Sequence, residues 1–177
     1  VLTDEIRMAG FQGCTALDNV IPNSIVSPAG SVVFSADNAI AGHEYSGGTW
    51  LPALTSAPTN VVDGTDLLEL RTASCSAFLT SNMSTDNANI QIGANSSCEF
   101  EAGDILIISD CSSTDVFKAT NVSEGGSITT IAHANSTNTT NRLTKPYGDD
   151  ATVSKYEVLK YYIRDNDYGV PALYEAS

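Results

Sequence analysis

The sequence predicts an α+β protein in which the end of an N-terminal helix packs on antiparallel β-sheet. Leu2, Ile6 and Ala9 fall at helical spacing, and Gly10 and Gly13 then interrupt the pattern. The rest of the chain reads as roughly eight to ten short β-type runs separated by turn residues. A helix followed by such runs favours a helix packed on a sheet.

The 177 residues show no internal repeat and no linker that divides the chain. We therefore expect one domain over 1–177, with the helix end in 1–10 and mainly β-structure in 11–177.

Two segments give the clearest strand signals. Ile105 to Ile108 are apolar at every position, which is typical of a central strand covered on both faces. In the segment 152–164 the apolar face changes, since Tyr156 and Val158 share one face whereas Leu159 and Tyr161 share the other. This strand is expected to be bulged or covered on both sides.

Two further segments near the C-terminus are expected to lie at the periphery. Pro171 predicts an edge strand or a strand that begins at that residue. The polar connection 135–151 is predicted to be exposed and mobile.

Composition excludes several classes of function. The chain has 21 acidic and 8 basic residues, a net charge of −13, and no cluster of Lys or Arg. Such a surface repels phosphate groups, so we expect neither direct nucleic-acid binding nor adhesion to anionic lipid. No run of residues approaches the roughly 20 apolar positions of a membrane-spanning helix.

The four cysteines indicate disulfides in an oxidising compartment. They are widely spaced, no C-x-x-C motif is present and the two histidines are far apart, so no metal site or cofactor is expected. Four cysteines allow three connectivities. We favour Cys14–Cys111, which ties the helix exit to a strand end, and Cys75–Cys98, which closes a polar excursion.

Candidate chemistry in the sequence is sparse, and we expect no enzyme. The pair His43-Glu44 lies in a Gly-rich segment and lacks the spacing of a known hydrolytic motif. The run "DNDYG" (165–169) lacks the glutamate-terminated remainder of a calcium loop and is predicted to be a turn. The C-terminal tyrosines are expected to pack across a hairpin rather than to form a binding face.

Five stretches in order resemble the PilW family of minor type IV pilins. They are "DEIRMAGFQGC" (4–14), "AIAGHEYSGGTWLPAL" (39–54), "DGTDLLELRTA" (63–73), "GDILIISDCSSTDVFKATN" (103–121) and "YYIRDNDYGVPALYE" (161–175). The resemblance covers almost the whole chain, apart from the low-complexity segments 80–97 and 135–150.

This resemblance implies a pilin-like fold, with the truncated helix packed on two antiparallel sheets as in J-type minor pseudopilins. It also implies a role in priming pilus assembly in a tip complex with other minor pilins, the major pilin and a PilY-type adhesin. The protein would be a periplasmic domain, anchored in the bacterial inner membrane only through a missing upstream helix, before it reaches the pilus tip.

Helical spacing divides the helix end into two stripes with different expected roles. Leu2, Ile6 and Ala9 would pack on the sheet. The other stripe, formed by Val1, Glu5 and Met8, would face solvent in this chain and a neighbouring pilin in the assembled complex that the resemblance implies. Glu5 lies in a polar context, so the functional glutamate of pilins is not transferred to it.

Two alternative functions remain open from the sequence. One is a minor pseudopilin of type II secretion, and the other is a secreted adhesive or carbohydrate-binding β-domain. An upstream leader followed by an apolar helix would indicate a pilin or pseudopilin, whereas a cleavable secretory signal would indicate the adhesive domain.

Overall fold

The computed structural model describes residues 2–12, 17, 19–94 and 96–177. It has one α-helix and one single-turn 3-10 helix, and eleven strands within these ranges. The helices are α1 (Leu2–Met8) and η1 (Ala36–Asn38), and the strands are β1 (Asn23–Ser24), β2 (Ile40–Ser46), β3 (Thr49–Leu51), β4 (Thr65–Phe78), β5 (Ile90–Gly93), β6 (Ile105–Ser109), β7 (Thr114–Lys118), β8 (Asn121–Gly125), β9 (Ile128–Ala132), β10 (Thr152–Asp165) and β11 (Pro171–Ala176).

The strands form two sheets. The larger sheet has eight strands in the order β1-β7-β6-β10-β4-β2-β3, with β11 added on β10, and it is mixed because β1 runs parallel to β7. The smaller sheet is antiparallel, in the order β5-β9-β8. The two 14-residue strands β4 and β10 pair along most of their length at the centre of the larger sheet.

Several strand predictions are confirmed. β6 lies between β7 and β10, as expected for a strand that is apolar on both faces. β10 has a register shift between Ser154 and Lys155, and it packs apolar side chains on both of its faces. β11 begins at Pro171, where the missing N–H is tolerated.

The prediction of an α+β fold with a packed N-terminal helix is wrong, because the molecule is mostly β. α1 has seven residues and none of them is buried, so it does not form a layer of the structure. A helix this short is marginal by itself. Gly10 adopts a φ of +77°, and its N–H donates to the carbonyl of Arg71 at 2.8 Å, which turns the chain away from α1 at the sheet.

Within the described ranges, no helix is both long enough and apolar enough to span a membrane.

The main core lies between the two sheets. Alternation along β6 directs Leu106 and Ile108 into this core, whereas Ile107 points to the opposite face and joins a second cluster. The fully buried isoleucines of the smaller sheet, Ile90, Ile92 and Ile131, complete the main core. Burial of apolar surface on this scale is the dominant favourable term in folding.

The connection 135–151 is exposed at about half of its residues, but the others anchor it on the main core, so the prediction that it is exposed is confirmed only in part. Leu143, Tyr147 and Ala151 are buried in the main core. The buried Asn138 side chain donates to the carbonyl oxygens of Lys118 and Ala134, at 2.9 and 3.0 Å. Side-chain hydrogen bonds to backbone groups therefore fix a segment that has no strand of its own.

Candidate functional site

The N-terminal helix contacts the sheet through a narrow line of side chains. Leu2 and Ala9 pack against a cluster that contains Leu70 and Leu159. Ile6 is 40% exposed, so its predicted place on the core face is wrong. Leu2 and Ala9 lie two helical turns apart, and α1 is rotated about its axis so that Glu5, rather than Ile6, flanks their contact line.

Large apolar side chains are exposed on and just after α1. Met8, from the predicted partner-facing stripe, is 43% exposed, and Phe11 is 38% exposed. We call Ile6, Met8 and Phe11 the exposed apolar residues of the helix end. Ile6 and Met8 are two positions apart, so they lie on different sides of α1. Glu5 is half-buried, and its Oε2 atom has neither solvent contact nor a hydrogen-bond partner. Val1, the third member of the predicted stripe, lies outside the described residues.

The disulfide predicted between Cys75 and Cys98 is present. Its Cα atoms are 5.6 Å apart, and it links β4 to the segment that precedes β6. Cys111 is also disulfide-bonded. Cys14, its predicted partner, lies outside the described residues.

A polar strip crosses the face of the larger sheet that is turned away from α1. One apolar cluster, around Trp50, lies at one end of this strip, and another, around Phe34, lies at the other end. Between them, β4 and β10 present Glu69, Arg71, Val158 and Lys160. A cavity of about 760 Å³ opens over this strip.

Charged groups in this cavity are largely paired with one another. Arg71 forms an ion pair with the buried carboxylate of Glu69, and Lys155 pairs with Asp104 at 2.9 Å. Lys160 differs, because its Nζ atom donates to two backbone carbonyl oxygens, those of Thr55 and Ser56, at 3.0 and 3.1 Å.

Tyr156 closes one end of the cavity. Its ring packs edge-on against Phe34, with ring centroids 5.6 Å apart. Burial raises the pKa of the Tyr156 hydroxyl, although the nearby Arg71 guanidinium acts in the opposite direction. The hydroxyl therefore stays protonated at neutral pH, as a donor at the cavity wall.

A buried carboxylate that the sequence did not single out lies on β7. The fully buried Asp115 accepts hydrogen bonds from Asn23 Nδ2 at 2.6 Å, from the Thr144 N–H at 2.9 Å, from Thr144 Oγ1 at 2.8 Å and from the Tyr147 hydroxyl at 2.7 Å. Four donor groups on three residues, from β1 and from the connection before β10, satisfy one carboxylate, which is the arrangement of a structural centre.

The other candidates from the sequence do not assemble into a site. His43 is buried, and its Nδ1 atom lies 2.9 Å from the carbonyl oxygen of Pro52. His43 and Glu44 are consecutive in β2, so their side chains point to opposite faces of the sheet. Among the described residues, no group of three or more His, Cys, Asp or Glu side chains could hold a metal ion.

Two of the C-terminal tyrosines pack across the terminal hairpin, as predicted. The rings of Tyr162 and Tyr174 stack with centroids 6.1 Å apart across the β10–β11 pair. The Arg164 guanidinium lies 4.0 Å from the centre of the Tyr174 ring, a cation–π contact. Tyr168 is fully exposed at the hairpin turn.

Comparison with known proteins gave no relative, since no family model, no curated protein and no solved structure matches this chain.

Proposed function

We propose that this protein is an assembly component of a type IV pilus, a minor pilin that primes pilus formation together with other minor pilins, the major pilin and a PilY-type tip adhesin. It would act in the bacterial cell envelope and then at the pilus tip. The five stretches that resemble the PilW family, in order along the chain, are the reason to propose this class.

The exposed apolar residues of the helix end are the structural observation that supports the proposal. Ile6, Met8 and Phe11 are each more than a third exposed, within six residues of one another. Helices that pack against each other bury such side chains, as an assembly of pilin helices would require.

The Cys75–Cys98 disulfide also supports a role outside the cytoplasm, because disulfides persist in oxidising compartments.

Deletion of the gene in its source bacterium tests the proposal. We expect surface pili, counted by electron microscopy, to be lost and to return when the wild-type gene is supplied. The double variant Ile6→Glu/Met8→Glu should not restore them, because two carboxylates would enter the apolar contact.

The matched control is Leu51→Glu/Leu173→Glu, which changes two exposed leucines away from α1. It should restore pili as well as the wild type does. Normal piliation in the deletion strain would overturn the proposal. If protein secretion is then lost, the alternative of a type II secretion pseudopilin is favoured.

A further inference from the structure

Cys75 interrupts the pairing of β4 with β10. On one side of it Ser74 pairs with Lys155, and on the other side Ser76 pairs with Ser154. Cys75 is therefore an extra residue of β4 that has no partner on β10. Its φ is +45°, in the left-handed region that residues other than glycine seldom adopt. A β-bulge of this kind takes the residue out of the ladder and redirects its side chain.

The two halves of the Cys75–Cys98 disulfide differ in exposure. Cys75 is exposed, whereas Cys98 is only 6% exposed and belongs to the main core. The Ser96 hydroxyl donates to the Cys98 carbonyl oxygen at 3.2 Å, which fixes the backbone on the buried side. One end of the disulfide therefore lies at the protein surface, and the other end lies in the core.

The chemistry of thiol–disulfide exchange makes this difference selective for one sulfur. An attacking thiolate bonds to one sulfur atom, while the other sulfur leaves with the electron pair of the broken S–S bond. The thiolate approaches along the S–S axis, from the side opposite the leaving sulfur. Attack on Cys98 Sγ would have to come through the main core, whereas attack on Cys75 Sγ comes from the exposed side of the bulge.

We propose that Cys75 is a site of thiol–disulfide exchange, at which an external thiol forms a mixed disulfide. The thiolate sulfur bonds to Cys75 Sγ, the bond to Cys98 breaks, and Cys98 Sγ leaves as a thiolate that takes a proton from the solvent. The product has one mixed disulfide at Cys75 and one thiol at Cys98. The link between β4 and the segment that precedes β6 is then open. This inference does not depend on the proposed role in pilus assembly.

Mapping of the mixed disulfide tests the proposal on the intact chain. The probe is β-mercaptoethanol, a neutral thiol, because a chain with a net charge of −13 repels an anionic thiol. The reaction runs without denaturant, acid stops it at early times, and mass spectrometry of peptides locates the adduct. We expect at least about ten times more adduct on Cys75 than on Cys98. Equal amounts on the two residues, an excess on Cys98 or no adduct on either would overturn the proposal.

A comparison of single thiols measures access to each residue without the disulfide. Cys98→Ala leaves the Cys75 thiol, and Cys75→Ala leaves the Cys98 thiol, so each variant is the matched control for the other. Both react with dithiodipyridine, a neutral disulfide reagent that releases an absorbing product. With each rate divided by the rate in urea, the Cys75 thiol should react about a hundredfold faster than the Cys98 thiol. Equal relative rates would contradict the assignment of Cys75.

A destabilised variant separates attack on the folded chain from attack after unfolding. Leu67→Ala removes a buried side chain from the cluster around Trp50, in a part of β4 remote from Cys75. If the thiol attacks the folded chain, adduct should form within about twofold of the wild-type rate. A rate increase of about thirtyfold or more, which follows from the larger unfolded population, would overturn the proposal.

Discussion

The Tyr147 hydroxyl donates a hydrogen bond of 2.7 Å to the carboxylate of Asp115, and both side chains are buried from solvent. Tyr147 belongs to the long connection before β10, and Asp115 belongs to β7. Since Asn23 and Thr144 donate to the same carboxylate, a single acidic side chain holds β1, β7 and the connection together. Stability of the molecule should therefore depend strongly on Asp115.

Removal of the Asp115 carboxylate should destabilise the protein by about 3 kcal/mol in Asp115→Ala, because several buried donors lose their acceptor. Urea unfolding followed by circular dichroism measures this free energy of unfolding. Asp167→Asn, at an exposed turn, is the control and should change the free energy by less than about 0.5 kcal/mol. A similarly small effect of Asp115→Ala would refute the structural role of this carboxylate.

Tyr147 should make the protein less stable at alkaline pH. Burial raises the pKa of the Tyr147 hydroxyl, and the nearby Asp115 charge raises it further. Above pH 10 the tyrosine ionises in the unfolded chain but not in the folded one, so the free energy of unfolding falls as the pH rises. Unfolding measured from pH 8 to 11 should show this decrease, and Tyr147→Phe should reduce its slope. An unchanged slope in the variant would assign the decrease to other groups.

Asp110 should make the protein less stable in acid. Burial would raise the pKa of its carboxyl group, but hydrogen bonds from Lys145, Ser112 and Ser113 outweigh that effect and hold the pKa below its usual value of 3.8. Its stabilising contribution is complete above the unfolded-state pKa and is lost as the pH falls through the lower, folded-state value.

Thermal unfolding between pH 5 and 2 measures the contribution of Asp110. The melting temperature of Asp110→Asn should depend less on pH than that of the wild type below about pH 4. Parallel curves for the two proteins would contradict a lowered pKa for this carboxyl group.

The Cys75–Cys98 disulfide should stabilise the molecule chiefly through the unfolded chain. It joins residues separated by 23 positions, and a loop of this size corresponds to a contribution of about 3 kcal/mol. Urea unfolding of Cys75→Ala/Cys98→Ala should show a loss of that order, with the native circular dichroism spectrum retained without denaturant. A variant as stable as the wild type would show that the disulfide has little effect on the folding equilibrium.

Strands with a strong local signal could be predicted from the sequence. The apolar run of β6 requires cover on both faces, and the ring of Pro171 excludes a position within a central strand. Both properties depend on the residues themselves rather than on tertiary contacts. The structure confirms the two predictions that rest on them. The pairing of Cys75 with Cys98 was also predicted, although spacing alone leaves three connectivities open.

Features that depend on tertiary contacts could not be predicted in this way. Helical spacing placed Ile6 on the core face, but the rotation of α1 on the sheet is set by packing against β4 and β10. The polar composition of 135–151 suggested exposure, whereas Asn138 and Tyr147 are buried because distant residues provide their hydrogen-bond partners.

Site-specific photocrosslinking from Met8 in piliated cells tests the proposed assembly role most directly. A photoreactive amino acid replaces Met8 in the full-length protein, and the same substitution at exposed Leu51 on β3 serves as the control. We predict that Met8, and not Leu51, forms a crosslink to another pilin, identified by mass spectrometry. No crosslink from Met8, or crosslinks to pilins from both positions alike, would contradict the account.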